Sequence, residues 1–158
     1  MAEAVGLAAS IISIVGAADA VLISLAKLKV FRNASQDLLS LNNEVADLRV
    51  VMSQVESYIA AESVGAPALP RDLLQQVLAL VERANGELLK LDQLIHYRFL
   101  KSGTFEGSYK VFRFEWLKTI ATVENHRQSI RELRQNIISQ LLLVTTYVTD
   151  LKTICGWT

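Results

Sequence analysis

The sequence contains few of the residues that break helices or cross-link a chain. It has two prolines, seven glycines and one cysteine among 158 residues, and aromatic residues make up 7%. So few prolines and glycines leave little room for the many turns of a β fold, and the composition therefore favours an all-α protein. The single cysteine, Cys155, excludes an internal disulfide and a zinc site built from cysteines, and we expect an intracellular, reducing compartment.

The chain also lacks an excess of either charge. Lysine and arginine together number 16, as do aspartate and glutamate, so the formal net charge at pH 7 is zero. Without a broad positive field, nucleic acid is not an expected partner. Hydrophobic residues make up 51% of the chain. At this length they suit one domain, residues 1–158, with a core of its own.

Three breaks divide the chain into four segments that are long enough to be helices. The breaks are residues 31–35, the proline-containing stretch 64–70 and the polar stretch 101–108. The second segment, residues 35–62, and the third, residues 70–100, carry apolar residues at alternating three- and four-residue spacing, which predicts amphipathic helices. The predicted stripes are Leu38, Leu41, Val45, Leu48, Met52, Val55 and Ile59 in the second segment, and Leu74, Val77, Val81, Ala84, Leu88, Leu91 and Ile95 in the third. We therefore predict an antiparallel bundle of four main helices, and the short connections favour it over separate coiled-coil strands.

The last segment, about residues 114–154, is the longest. At 1.5 Å per residue it would reach roughly 60 Å, against about 40 Å for the second segment. A helix of that length must overhang its partners or be broken. The stretch before it, residues 109–116, mixes aromatic and basic residues in a predicted loop. We expect this cluster to close one end of the bundle; the alternative is contact with a membrane interface.

Three arginines of the last segment, Arg127, Arg131 and Arg134, have the spacing of one helix face. Arg127 also falls on the apolar stripe of that segment. We predict ion pairs with acids of a neighbouring helix, such as Glu44, Asp47 or Glu56. The alternative is a patch that binds lipid phosphates or a partner.

The first segment differs from the other three because it is apolar nearly all round. Residues 4–26 contain one charge, Asp19. Twenty-three residues would reach across a hydrocarbon core about 30 Å thick. Small residues that recur at four-residue intervals let helix backbones approach closely, as in helices that associate in lipid. These pairs are Gly6 and Ser10, Ala9 and Ser13, Ser13 and Ala17, and Gly16 and Ala20.

We predict that this first segment can engage a membrane. The candidate membrane-engaging residues are Val5, Gly6, Leu7, Ile11, Ile12, Ile14, Val15 and Gly16. The candidate headgroup patch is Lys27, Lys29 and Arg32. A permanent span is marginal, because Asp19 at mid-membrane would cost about 2.5–3.5 kcal/mol. For the resting state we expect the simpler alternative, in which a helix that is apolar all round lies at the centre of the bundle.

The opening residues, MAEAVGLAASIISIVG, resemble the start of the fungal N-terminal domain of STAND (NLR-like) proteins, which belongs to the HeLo-like helical domains. Gly6, Gly16 and the aliphatic residues between them match that opening. The leucine-rich stretch 38–59, and Trp116 ahead of a late helix rich in leucine and arginine, fit the rest of the pattern. The resemblance implies a helical bundle at the N-terminal end of a longer protein, ahead of a nucleotide-binding or other regulatory domain.

The resemblance also implies a function in fungal innate immunity. Related domains stay in the cytoplasm until activation, when they form homo-oligomers, expose the N-terminal helix and move to the membrane. Membrane targeting or pore formation then leads to programmed cell death, with anionic lipids as the expected membrane partner. The alternative function is a non-toxic adaptor that serves protein interaction or oligomerisation.

The sequence offers no constellation of residues that would indicate an enzyme. It contains no glycine-rich phosphate loop, and His96 and His126 stand apart, without the spacing of metal ligands. Cys155 has no neighbouring base that would activate its thiol. We therefore predict no catalytic residue, no metal and no cofactor, and we interpret His126 as a solvated or capping group.

Overall fold

The computed structural model describes residues 2–29, 36–62, 70–100 and 109–155. Within these ranges the chain folds into four α-helices and contains no strand. A π-helical turn, His96–Leu100, continues the third helix. The predicted all-α bundle with an apolar N-terminal helix is thereby confirmed. The helices are α1 (Ala2–Lys29), α2 (Gln36–Glu62), α3 (Arg71–Ile95) and α4 (Tyr109–Cys155).

The core consists of one apolar stripe from each helix, and the stripes of α2 and α3 are the predicted ones. The buried residues of α2 include Leu38, Leu41, Val45, Leu48, Met52 and Val55. Those of α3 include Val77, Val81, Ala84, Leu88, Leu91 and Ile95. Because each stripe follows the 3.6-residue period of the helix, one side of each helix lies in the core and the other lies in water.

The four helices occupy the corners of the bundle. Both α1 and α4 pack against α2 and α3. Consequently α1 and α4 lie at opposite corners, as do α2 and α3. The expectation that α1 is the central helix is therefore wrong. An apolar helix in this bundle is only half covered, because a corner helix has two neighbours and one side that faces outward.

Side-chain contacts give the directions of the helices. Arg131 and Arg134 of α4 bind Glu44 and Asp47 of α2 with the same offset of 87 residues, so α2 and α4 run parallel. The ring contact between Phe99 and Trp116 lies near the end of α3 and the start of α4, which run antiparallel. Six residues, 30–35, join α1 to α2. They cannot reach back along helices of about 40 Å, so this pair is antiparallel too.

The last helix is unbroken and extends beyond its neighbours. Its 47 residues correspond to roughly 70 Å, whereas α3 measures about 40 Å. Its buried residues run from Trp116 to Val144, and the described side chains after Val144 are exposed. Of the two outcomes expected from the length, overhang or a break, the structure has the overhang.

The aromatic and basic stretch before Trp116 was expected to be a loop, and this expectation is wrong. The stretch forms the first two turns of α4, which begins at Tyr109. Trp116 is buried, and its ring centroid lies 5.7 Å from that of Phe99. Of the cluster predicted to close one end of the bundle, Trp116 takes part in such packing, and the side chains of residues 109–113 lie outside the described part of the structure. Phe114 is exposed, and Lys118 Nζ lies 4.1 Å from the centroid of its ring.

Candidate functional site

The first helix is apolar on two opposite faces, and only one of them is buried. The inner face lies in the core and consists of Ile11, Ile14, Ala18, Val21, Leu25 and Leu28, which are all fully buried. The outer face is exposed and consists of Ala9, Ile12, Ser13, Gly16, Ala20 and Ile23. Ile12 and Ile23 are 59% and 58% exposed. Leaving both isoleucines in water forgoes the favourable free energy of their burial, so the outer face is a candidate interaction surface.

The predicted membrane-engaging residues are divided between these two faces. Ile12 and Gly16 belong to the outer face, and Gly6 is exposed one turn before it. Ile11 and Ile14 belong to the inner face, where they are fully buried. The predicted residues therefore do not form a single surface, because consecutive positions of a helix point in different directions.

The remaining predicted residues lie beside the outer face or outside the part of the chain that the structure describes. Val15 is partly buried and packs against the core. Lys27 is exposed, one turn beyond Ile23. The other four predicted residues lie outside what the structure describes, namely the side chains of Val5, Leu7 and Lys29 and the whole of Arg32. Ile23 was missed by the sequence prediction, although its spacing of eleven residues from Ile12, about three helical turns, places both on one face.

Most of the small residues in the four-residue pairs of α1 face outward; the exception that packs against the core is Ala17. Ala9, Ser13 and Ala20 are exposed, and a Cβ atom added to Gly6 or Gly16 would meet no atom within 4 Å. Small side chains normally permit two helix backbones to approach closely. Here the space above them is open, so the close approach expected from their spacing is available only to something outside the bundle.

Two polar contacts hold the flanks of α1. On one flank, Arg49 of α2 donates from Nε to Asp19 Oδ1 at 2.5 Å and from Nη2 to Oδ2 at 3.4 Å. The hydrogen bond to Asp19 and the charge of its carboxylate raise the pKa of Arg49. On the other flank, Ser24 Oγ donates to Asp92 Oδ1 of α3 at 2.9 Å. Asp19, the single charge of the apolar run, is therefore neutralised by a neighbouring helix.

Two of the three arginines of the α4 row bind acids of a neighbouring helix, as predicted. Glu44, which is 7% exposed, accepts from Arg131 and lies 3.0 Å from Arg134 Nη2. Arg134 also donates to Asp47 at 2.7 Å. The third arginine, Arg127, pairs with Glu124 of its own helix. All three guanidinium groups are thus engaged in ion pairs, and those of Arg131 and Arg134 join α4 to α2, so the row is a structural seam.

Two acids in these contacts, Glu124 and Glu87, have lowered pKa values. The hydrogen bond from Arg127 lowers the pKa of Glu124. Burial raises the pKa of Glu87, but hydrogen bonds from Lys90 and His126 outweigh it, and the pKa lies below its ordinary value. The Glu87 carboxylate is therefore ionised at neutral pH and accepts hydrogen bonds from both neighbours.

His126 was expected to be solvated or to cap a helix, and the structure corrects this. Its Nδ1 lies 2.9 Å from Glu87 Oε2, and its side chain is 16% exposed. The contact joins α4 to α3. Beside it lies a polar groove of about 280 Å³ whose lining includes Arg83, Lys90 and Ser129. In the described residues no group of three or more histidines, cysteines, aspartates or glutamates could hold a metal ion.

The first helix also has the length and hydropathy of a membrane-spanning segment. In the described part of the chain it is the one helix that meets both criteria, over Ala8–Leu28 with a mean hydropathy of 2.0. The core helix of a soluble protein meets the same criteria. Hydropathy alone therefore does not distinguish a core helix from a membrane helix, and the uncovered outer face is the more informative observation.

No family model, no curated protein and no solved structure matches the chain. The function is therefore inferred from the geometry of α1.

Proposed function

We propose that the chain is an effector domain of the HeLo-like class, which acts by regulated homo-oligomerisation and by targeting or permeabilising a membrane through α1. The observation that supports this proposal is the uncovered apolar outer face on a helix that has the hydropathy of a membrane segment. In this proposal the resting domain is cytoplasmic and moves to the membrane on activation. A nucleotide-binding or regulatory domain of the same chain controls the change.

A corner position allows α1 to contact a lipid surface while its inner face stays in the core. From Ala9 to Ile23 the outer face extends about 21 Å along the helix axis and carries no charged side chain. Lys27 is exposed one turn beyond Ile23, where a positive charge can meet anionic headgroups. An apolar face that ends in a basic residue is typical of helices that lie in a membrane interface.

The free energy with which one outer face would bind a membrane explains why oligomerisation belongs to the proposal. Transfer of the exposed parts of Ile12 and Ile23 into lipid is worth roughly 2–4 kcal/mol, and one lysine near anionic lipid adds about 1 kcal/mol. A total of roughly 3–5 kcal/mol corresponds to binding near the millimolar range, so one copy does not stay bound. An oligomer that presents several outer faces to one membrane binds far more tightly, because each further contact is intramolecular.

Permeabilisation requires a further step in which the inner face also leaves the bundle. Six fully buried apolar residues hold that face, and their exposure to water would cost about 10 kcal/mol, which is comparable with the whole stability of a domain. Lipid covers apolar side chains as the core does. Release is therefore feasible at a membrane, where lipid replaces the lost burial, and not in water.

The adaptor function remains the second candidate, and one observation favours it. The small residues on the outer face leave the backbone of α1 open to close approach, with nothing within 4 Å of a Cβ atom at Gly16. A partner helix, from a second copy or from another domain of the chain, would gain a close backbone contact there. In this version α1 stays docked, and its outer face binds protein.

The decisive experiment alters the outer face without touching the core. Ile12→Ser together with Ile23→Ser removes the two exposed isoleucines. Val50→Ser with Leu89→Ser is the matched control, because these residues are 51% and 49% exposed on α2 and α3. Flotation and dye release are measured with vesicles of phosphatidylcholine and phosphatidylserine, for the free domain and for a version fused to an oligomerisation tag.

We expect the oligomeric wild type and the control to bind vesicles and release dye, and the outer-face variant to do neither. Circular dichroism should give the same helicity for all three proteins, because every altered side chain is exposed. Equal binding by the outer-face variant and the control would overturn the membrane function. Failure of every oligomer to bind, with self-association lost only in the outer-face variant, would support the adaptor.

A further inference from the structure

The single charge in the apolar run of α1 lies halfway along the segment that is long enough to span a membrane. Asp19 is close to the centre of Ala8–Leu28. Its side chain is 45% exposed, on the flank between the inner and outer faces. A charge that served solubility alone would be equally effective on the outer face. This one lies within reach of a cation on the neighbouring helix.

In the bundle the carboxylate of Asp19 has a partner that fits it. Arg49 donates to both of its oxygens, at 2.5 and 3.4 Å. The guanidinium side chain is 41% exposed, so the pair is of the kind that contributes little to folding stability. The pair therefore does not explain why an otherwise apolar helix carries an acid at this position.

Outside the bundle the same carboxylate loses that partner. Arg49 belongs to α2, so an α1 that enters lipid leaves it behind. An acidic side chain at the centre of a bilayer lowers insertion of a helix on the order of 100-fold. The free-energy contribution of the Asp19 carboxylate is therefore small in the bundle, where it is paired, and strongly unfavourable in lipid, where it has no partner.

We propose that Asp19 is a restraint on the release of α1, satisfied by Arg49 in the resting bundle and left unpaired when the helix inserts into a membrane. The inference rests on the proposed membrane function and names its regulation. It assigns to Arg49 the role of a positioning residue, which keeps the carboxylate neutralised while α1 is docked. The trigger for insertion must then supply enough favourable free energy to overcome one unpaired acid.

The test compares four variants of the whole chain. Asp19→Asn removes the charge, and Arg49→Gln removes only the partner. The double variant Asp19→Arg with Arg49→Asp restores a pair with the charges exchanged. Glu82→Gln, at an exposed position of α3, is the matched control for loss of one negative charge. Insertion is measured by protection of an α1 label from an aqueous quencher, in phosphatidylcholine and phosphatidylserine vesicles.

We expect Asp19→Asn to increase the inserted fraction about 10-fold, because the charge is removed while the amide that replaces it stays polar. Arg49→Gln should change it only a few-fold, and the charge-exchanged variant should insert as poorly as the wild type, because an arginine at the same depth is also costly. Glu82→Gln should have no effect. An equal effect of Asp19→Asn and Glu82→Gln would overturn the restraint.

A second measurement needs no membrane and separates this inference from the proposed function. Hydrogen exchange of the α1 amides should become a few-fold faster in Asp19→Asn and in Arg49→Gln, and return to the wild-type rate in the charge-exchanged variant. Unchanged exchange in both single variants would overturn the role of Arg49. Vesicle binding through the outer face with no insertion by any variant would overturn the restraint and leave the membrane targeting in place.

Discussion

The helices α1 and α4 lie at opposite corners of one bundle and are attached to it in different ways. The inner face of α1 is held by apolar burial, with one exposed ion pair and one serine hydrogen bond at its flanks. The attachment of α4 adds directional contacts, from Arg131 and Arg134 to the acids of α2 and from His126 to Glu87 of α3. Lipid can replace apolar burial but not a matched set of ion pairs. The comparison therefore favours α1, rather than α4, as the helix that leaves the bundle in the proposed mechanism.

The largest expected effect tests whether apolar burial holds α1. Ile14→Ala should lower the free energy of unfolding by about 3 kcal/mol, because it leaves a cavity in the core. Ile12→Ala, the same substitution on the outer face, should change it by less than about 0.5 kcal/mol. Urea denaturation followed by circular dichroism measures both. Similar losses for the two variants would show that the outer face is covered in solution.

A smaller effect is expected at the seam of α4. Glu44→Ala removes the buried acceptor shared by Arg131 and Arg134 and should lower the free energy of unfolding by about 2 kcal/mol. This is less than for a fully buried pair, because both arginines are partly exposed. Glu132→Ala, at an exposed position of α4, is the control. If Glu44→Ala lowers the free energy of unfolding no more than Glu132→Ala does, the ion pairs do not stabilise the scaffold.

The contact between α3 and α4 at Glu87 should depend on pH. The pKa of Glu87 in the folded state is below its ordinary value of 4.5, so the unfolded state binds more protons in that range. The stabilisation is complete above about pH 4.5 and is lost as the pH falls through the folded pKa. Because the group is partly exposed, its size is less than about 1 kcal/mol.

The measurement for this contact is the difference in unfolding free energy between the wild type and Glu87→Gln. It should be present near pH 7 and shrink near pH 3. Glu82→Gln should show no such change. A difference that grew as the pH fell would contradict the assigned sign.

A small gain in stability, and the sharpest effect on function, is expected at Gly16. A leucine side chain has open space there, and a helix gains about 0.5–1 kcal/mol when an interior glycine is replaced by a good helix former. Gly16→Leu should therefore raise the urea midpoint slightly. Vesicle flotation should be retained or improved, because the outer face becomes more apolar. Loss of self-association with unchanged flotation would separate a protein-binding role of this face from its lipid-binding role.

The sequence was sufficient to predict most of the fold. The stripes of α2 and α3 have a clear three-and-four period, and the core contains the predicted residues from Leu38 to Val55 and from Val77 to Ile95. The spacing of the arginines predicted ion pairs with acids of a neighbouring helix, and among the candidates Glu44 and Asp47 bind Arg131 and Arg134. Periodic patterns are local, and they survive folding because each helix uses the same period to bury one side.

The candidate site was harder to predict, because α1 carries no such pattern. A helix with apolar residues on every side does not reveal which of Ile11, Ile12 and Ile14 faces the core. The flank contacts, in which Arg49 and Asp92 meet Asp19 and Ser24 across gaps of 30 and 68 residues, are equally hidden from the sequence. The partner of His126 was missed for the same reason, since Glu87 precedes it by 39 residues. Contacts at such separations follow from the packing of whole helices.

The corner arrangement has a consequence for how the domain would respond to a trigger. Because α2 and α3 lie at opposite corners, α1 and α4 are the two helices that bridge them. Displacing α1 exposes the apolar stripes of α2 and α3 at once. We expect that releasing only part of α1 exposes apolar surface without the compensating burial of the whole helix in lipid. For the proposed release of α1 we therefore expect a cooperative response, with a threshold below which the bundle stays closed.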